Sequence, residues 1–239
     1  MKAMIFAAGI GSRLRPVTYE KPKAMVKVGG KTMLEHALEH LSGYGCKDII
    51  INLHHFPEQI KNFVEENINT DVNIIFSEEK DLLDTGGGLK KASWFFDDEP
   101  FLVYNVDILS NLNLNALINF HNIHYGLASV VVRRRNSSRY LLIDNDDKLT
   151  GWEDTRKKSK KMILKADSYE RYAFSGIHVL SPEIIPLFPH KDKFSIIDFY
   201  LEVIKSHSVY AFLDDDSYWF DIGDLEKLKK ANEFMGRRE

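Results

Sequence analysis

Residues 5 to 23 read I-F-A-A-G-I-G-S-R-L-R-P-V-T-Y-E-K-P-K, a short apolar run that opens into a glycine loop crowded with cations. Gly9 and Gly11 leave the backbone bare, so main-chain N–H groups can approach an anion closely. Arg13 can neutralise that anion, with Arg15 and Lys23 a few residues away. Two glycines alone describe a tight turn after a strand equally well; the adjacent cations favour a polyphosphate, as part of a nucleotide or phosphosugar. Spacing excludes two familiar phosphate loops. The third glycine of the dinucleotide fingerprint falls on Leu14, and Gly30-Lys31-Thr32 lacks the earlier P-loop glycine, whose place Met25 takes.

Carboxylates supply the second chemical theme. Asp107, in Asn105-Val106-Asp107, follows the apolar run Phe101–Tyr104, and the carboxyl end of a parallel strand is where ligands and Mg²⁺ gather. A turn or cap aspartate accounts for an isolated Asp equally well. Asp214-Asp215-Asp216 is a rival metal site on paper and reads as a solvated turn. Asp84-Thr85-Gly86-Gly87-Gly88 reads as a helix start in which Thr85 caps and the glycines admit a close neighbour. His36-Ala-Leu-Glu39-His40 fits an inverted zinc-protease spacing. Both histidines lie away from the apolar face of their helix, however, and are read as surface residues. His54-His55 follows a strand, where a loop-end role is at least as good as a substrate contact. Arg133-Arg134-Arg135 and Lys157–Lys161 read as solvated charge runs.

The elements that must carry these residues alternate. Met4–Ala8, Ile49–Leu53, Val72–Phe76 and Phe101–Tyr104 are buried parallel strands in prospect. Thr32-Met-Leu-Glu35 is a capping box that opens a helix with Met33, Leu34, Ala37, Leu38 and Leu41 inward and Gly43 at its end. Pro57 starts a second helix, burying Ile60, Phe63 and Val64, and a third carries Leu89, Ala92 and Phe95. The later chain predicts strands at Leu127–Val132, Leu141–Ile143, Tyr172–Leu180, Val209–Leu213 and Tyr218–Phe220. It also predicts a turn at Asp144–Asp147, a lysine-rich excursion over Thr155–Lys165, a helix capped by Ser195 or Asp198, and a terminal helix capped by Asp224. The pattern specifies a doubly wound α/β fold with a mixed, mostly parallel sheet flanked by helices. It is read as one domain, 1–239, with a nucleotide-binding half (1–125) and an acceptor half (126–239). With 239 residues and a net charge of -3, the chain has enough apolar content for a core and no basic excess for nucleic acid. Lone Cys46 cannot form an intrachain disulfide. The N-terminal apolar run is unlike a signal peptide, and no segment is long and apolar enough for a membrane span, so a cytoplasmic location is expected.

The N-terminal stretch resembles that of the sugar-1-phosphate nucleotidyltransferases, the pyrophosphorylase family. That family's signature is A-[AG]-G-x-G-[ST]-R-[LM]-x-P-[LV]-T followed by P-K-x-[LMV]. Here it is matched by Ala7-Ala8-Gly9-Ile10-Gly11-Ser12-Arg13-Leu14-Arg15-Pro16-Val17-Thr18 and Pro22-Lys23-Ala24-Met25. The resemblance implies a Rossmann-like, GT-A-like fold and a Mg²⁺-dependent enzyme of nucleotide-sugar biosynthesis. Its partners would be a nucleoside triphosphate and a sugar 1-phosphate, with the protein a monomer or small homo-oligomer. It further implies that the Ala7, Ala8 and Gly9 backbone meets the base, that Gly11, Ser12 and Arg13 hold the phosphates, and that Lys23 serves the α-phosphate or incoming phosphate. Arg13 and Lys23 would be catalytic, and Asn105 would join the nucleotide site. Trp219-Phe220-Asp221-Ile222-Gly223 resembles the family's late W-x-D-x-G element. On that ground alone Asp221 joins Asp107 at the metal, across 114 positions (221 minus 107).

Glu79, Thr85, Gly86 and Gly87 correspond to the base-edge region. The D-T-G-G-G spelling looks most like N-acetylmuramate-1-phosphate uridylyltransferases, enzymes of cell-wall precursor recycling, and some mannose-1-phosphate guanylyltransferases. On the acceptor side, Phe174-Ser175-Gly176-Ile177 resembles the central strand beside the sugar. Glu153 matches a glutamate that a phosphate-binding lysine usually follows; Asp154 stands there instead, leaving Arg156, Lys157 or Arg139 as substitutes, with Ser175, Gly176, Glu153 and Arg156 the acceptor set. Three rivals stand beside this reading. A non-catalytic relative would tend to lose the cations or aspartates, and a D-x-D glycosyltransferase would need a second acid near Asp107. A choline-phosphate cytidylyltransferase would need an aromatic cage, for which Tyr104, Tyr172 and Trp219 are available.

Overall fold

Short β-branched runs and amphipathic helices alternate through the first part of the chain, as hydrophobic spacing predicts. The computed structural model describes residues 1–68 and 71–238. Its α/β class is the expected one, strands of a mixed sheet with flanking helices. Two compact units divide it.

The first unit comprises Met1–Leu82, Tyr104–Asn111 and Tyr218–Glu239. Its strands Lys2–Phe6, Asp48–Leu53 and Asn73–Glu78 pair in parallel, with Phe6 opposite Asn52 and Asn52 opposite Ser77. Thr32 and Glu35 form the predicted capping box of helix Met33–Gly43, whose buried face is Met33, Leu34, Ala37, Leu38 and Leu41. Gly43 is the last helical residue, and the left-handed turn falls on Gly45 (φ 83°). Pro57 opens helix Pro57–Asn67, which buries only Ile60; Phe63 and Val64 stay half-buried. Asp224 accepts the Lys227 N–H to cap helix Leu225–Met235. Leu14, Val26, Val28, Met33, Leu109, Ile222 and Ala231 form one buried cluster in this unit. Truncating any of its leucines to alanine should cost about 2–5 kcal/mol.

The second unit comprises Leu83–Val103 and Leu112–Ser217. Ala128–Arg133 pairs antiparallel with Glu170–Leu180 and parallel with Val209–Leu213. Arg139–Ile143, Leu149–Asp154 and Ser159–Met162 form successive antiparallel pairs, because short turns can join strands only in that sense. The lysine-rich excursion is thus partly a strand. Helix Asp84–Ala92 already includes the glycine run, so Thr85 is not its cap. Ser195 caps helix Ile196–Val203. Helix Leu114–His124, capped by Asn113, was not expected.

The division does not follow a 125/126 boundary. The C-terminal segment belongs with the first unit because Trp219–Asp221 pairs antiparallel with Ile108–Ser110. The charge runs also need correction. Arg133 is buried, donating to Asp214 (3.3 Å) and to the Ser217 carbonyl (2.6 Å), and Arg134 pairs with Asp215 (2.9 Å). Arg133 and Asp214 are buried rather than solvated, while Arg134 and Asp215 form an exposed pair.

Candidate active site

Four charged candidates of the first unit sit within three residues of an anchor in its buried cluster. Arg13 precedes Leu14, Lys23 lies three residues before Val26, Asp107 two before Leu109, and Asp221 one before Ile222. The strand register puts Asp221 opposite Ile108, and the Ile222 N–H donates to the Asp107 carbonyl (2.8 Å). Two aspartates 114 positions apart (221 minus 107) are therefore neighbours along the backbone, Asp221 in the two-strand ladder and Asp107 just before it. Lys23 Nζ donates to Asp107 Oδ2, and Lys227 Nζ donates to Asp221 Oδ2 (2.8 Å).

Asp221 Oδ1 is buried with no hydrogen-bond partner. Such an atom normally carries a cost of about 1–3 kcal/mol unless something satisfies it. Gly223 keeps the space next to it clear: a Cβ there would lie 2.8 Å from Asp221 Oδ1 and 3.4 Å from Arg13 Nη2. The orphaned oxygen, the hard carboxylate donors and the nearby guanidinium fit Mg²⁺ held by one or two carboxylates and completed by substrate phosphates. Among the described residues no group of three or more His, Cys, Asp or Glu could hold a metal.

The glycine loop remains open. Gly11 adopts φ +69°, and its carbonyl accepts from the Thr18 hydroxyl (2.8 Å) and the Leu14 N–H (2.9 Å). A Cβ there would come within 3.1 Å of Thr18, so geometry and space both favour glycine. A Cβ at Gly9 would meet nothing within 4 Å. Ser12 and Arg13 begin a single 3₁₀ turn and are exposed, with Arg15 over the Tyr19 ring at 5.3 Å.

The start of the loop is fixed by a residue that sequence reading missed. Asn52 Oδ1 accepts the Ala7 N–H (2.7 Å), while its amide donates to Glu79 Oε1 (2.6 Å). His54 Nδ1 donates to the Glu79 carbonyl (2.9 Å), which gives that histidine a structural role. An asparagine inside the apolar run Ile49–Leu53 was the available signal, since a buried amide needs partners. Lys227, six residues past Asp221, was also missed. Asn105 is half-buried at the end of strand Phe101–Asn105, and the Val106 N–H donates to the Phe6 carbonyl (3.1 Å).

Thr85, Gly86 and Gly87 belong to the second unit and serve its packing. The Thr85 hydroxyl accepts the Ile196 N–H (3.0 Å), and the Gly86 and Gly87 N–H groups both point to the Phe194 carbonyl. A Cβ at Gly86 would stand 2.4 Å from the Phe194 ring, and one at Gly87 2.0 Å from the Asp192 carbonyl. The close neighbour that the glycines admit is the chain itself.

In the same unit, Ser175 is buried and Gly176 takes φ +80°, within an irregular stretch of pairing between Phe174 and His178. Glu153 pairs with Arg171 (3.2 Å). Arg156 is exposed, and its N–H is held by Asp154 (3.0 Å). The Lys157 N–H first, then that of Arg156, hold the Asp154 carboxyl below the usual carboxylate range. Where the family's lysine would stand, this chain has a turn-forming aspartate.

Other expectations change. His36 and His40 are half-buried rather than surface residues; His36 donates to the Val28 carbonyl (2.8 Å), and His40 bonds the Tyr104 hydroxyl (3.3 Å). Tyr104 is buried, which removes it from any cage for a quaternary ammonium. Burial, then Tyr218 and Asp107, push its phenol pKa up. Burial also raises the Cys46 thiol to about 11, so it is an inert core residue.

Comparison with known proteins identifies the family to which this fold belongs. The chain belongs to the Nucleotidyl transferase family, which it matches over residues 2–238. It is 30% identical over 231 residues to a mannose-1-phosphate guanyltransferase of Pichia angusta, covering 93% of this chain and 61% of that protein. It is 29% identical over 248 residues to a UTP–glucose-1-phosphate uridylyltransferase of a Synechocystis strain, covering 97% of this chain and 62% of that one. The chain thus spans about three-fifths of the length of these curated relatives. Among solved structures, HddC from Yersinia pseudotuberculosis complexed with GMP-PN superposes with a TM-score of 0.78 at 27% identity, over 98% of both chains.

Proposed function

We propose that the protein joins a nucleoside triphosphate to a sugar 1-phosphate, releasing pyrophosphate and an NDP-sugar. The observation that carries this reading is the meeting of Asp107 and Asp221 at one strand ladder, with Lys23 on the first and Arg13 beside the second. A phosphate monoester has its second pKa near ~6, so at neutral pH the attacking oxygen is largely ionised and needs no general base. A new P–O bond forms at the α-phosphorus as the bond to the β-phosphate oxygen breaks, and the electron pair leaves with pyrophosphate. The task left to the protein is to align two anions.

The bare backbone of Gly9 and Gly11 admits the triphosphate, Arg13 offsets its charge, and Lys23 orients Asp107 and neutralises the α-phosphate region. Asp107 and Asp221 would hold Mg²⁺, which supplies charge neutralisation to both anions when bound. The Ala7 backbone, set by Asn52, faces the base. With no helix among the described residues long and apolar enough to cross a membrane, we infer action in the cytoplasm.

The D-T-G-G-G spelling favours uridylyl transfer to N-acetylmuramate 1-phosphate, although packing on Phe194 and Asp192 accounts for two of those glycines. A second reading, guanylyl transfer to mannose 1-phosphate, is favoured by the names of several relatives and by the GMP-PN complex of HddC. The deciding experiment is pyrophosphate release across a matrix of the common nucleoside triphosphates, several sugar 1-phosphates and phosphocholine. Turnover confined to UTP with N-acetylmuramate 1-phosphate supports the first reading, and GTP with mannose 1-phosphate the second. No turnover with any pair defeats both.

A further inference from the structure

The second unit contains an open pocket of about 620 Å³ lined by three arginines, Arg134, Arg135 and Arg171, and by no Asp or Glu. Its volume falls in the range of small-molecule sites. The loop beneath it is tied down: the Ser137 N–H donates to the Tyr140 hydroxyl (2.9 Å), and the Thr155 N–H donates to the Ser138 carbonyl (2.8 Å). Each arginine is also oriented. Arg134 is held by Asp215 (2.9 Å), the Tyr172 hydroxyl (3.2 Å) and Glu170 (3.6 Å), while Glu153 holds Arg171 (3.2 Å) above the Tyr140 ring at 5.8 Å. Arg135 is half-buried, and its Nη2 donates to the Phe174 carbonyl (3.0 Å), one residue before Ser175-Gly176. A guanidinium carries five donors in a fixed fork, so an arginine oriented by protein partners can still grip an oxyanion.

We propose that this pocket receives an oxyanion of the acceptor, a phosphate or a carboxylate, with Arg135 as the residue that grips it. The proposal rests on the sugar 1-phosphate reading above. It assigns to this chain a cation that neither Asp154 nor the exposed Arg156 provides. Three arginines in one pocket suit an acceptor that carries a carboxylate besides its phosphate.

Calorimetric titration tests this without turnover. The probes are N-acetylglucosamine 1-phosphate and N-acetylmuramate 1-phosphate, which differ by one ether-linked lactyl carboxylate. Each is titrated into wild type, Arg135→Gln and Arg135→Lys, with and without a non-hydrolysable nucleoside triphosphate, and thermal unfolding is recorded alongside. Arg135→Gln should weaken binding by about 10- to 100-fold at an unchanged melting temperature, and Arg135→Lys should recover part of the loss. An equal loss for both probes identifies the phosphate as the gripped group; a loss confined to N-acetylmuramate 1-phosphate identifies the carboxylate. Unchanged affinity for both, or no binding by wild type, overturns the proposal. If Arg135→Gln fails to fold, Arg171→Gln decides in its place: it should weaken the same probe by about tenfold, and no change overturns the proposal. Binding that depends on Arg135 in a protein without turnover would overturn the proposed reaction and leave the pocket standing.

Discussion

Gly9 and Gly87 are interchangeable to a reader of the sequence and opposite in the structure. A Cβ at Gly9 would meet nothing within 4 Å, whereas one at Gly87 would stand 2.0 Å from the Asp192 carbonyl. Lys90 strengthens the second case by donating to the carbonyls of His190 and Lys191 and to Asp192. Gly9 keeps a surface open beside exposed cations. Gly87 lets two segments of chain close on each other. Only the first arrangement provides room for a ligand.

The contrast can be broken in several ways, the largest effect first. Asp107→Ala should lower pyrophosphate release by about 10²–10³-fold or more while leaving the protein folded, its carboxylate being 24% exposed. Activity near wild type would remove it from the site. Gly87→Ala should instead destabilise by about 3 kcal/mol in urea titration, the cost of forcing a methyl into packed backbone. A stable Gly87→Ala protein would mean that segment 190–194 gives way easily.

The third test uses pH. Burial lowers His121 to about 4 and His178 to about 3, both in the second unit. A folded state that keeps these rings neutral binds fewer protons than the unfolded chain. Stability should therefore be full above about pH 6.5 and fall as pH drops toward 4, by up to about 1.4 kcal/mol per pH unit for each ring. His121→Asn should flatten that slope, even at some cost in stability from its lost bonds to Ser129 and Ser181. An unchanged slope would exclude His121 as a source. The smallest effect belongs to Gly9→Ala: stability within about 0.5 kcal/mol of wild type, and a triphosphate KM raised about tenfold. A destabilised protein with normal KM would reverse the roles of the two glycines.

Short-range signals were readable. Thr32, Pro57, Ser195 and Asp224 each start the helix they predicted, because a cap needs only three or four neighbouring residues. Helix Leu114–His124 was hidden by asparagines at 115, 119 and 122 and by His121 occupying a buried position, which together blur the apolar stripe. Long-range pairing was not readable from the residues. Arg133 finds Asp214 81 positions away, so a charge run that looks solvated is partly buried. Asp107 and Asp221 could be joined in sequence only through the family likeness, while the ladder joins them through Ile108. The Asn52 relay depends on strand register, which no local spacing reveals.

The account turns on those two aspartates acting at one site. Calorimetric affinity for a non-hydrolysable nucleoside triphosphate, measured with and without Mg²⁺ in wild type, Asp107→Ala, Asp221→Ala and the double variant, tests this most directly. The expected result is a Mg²⁺-dependent gain in affinity that either single change removes, with little further loss in the double variant, as coupled neighbours show. Independent, additive losses, or a Mg²⁺ gain that survives both substitutions, would contradict it.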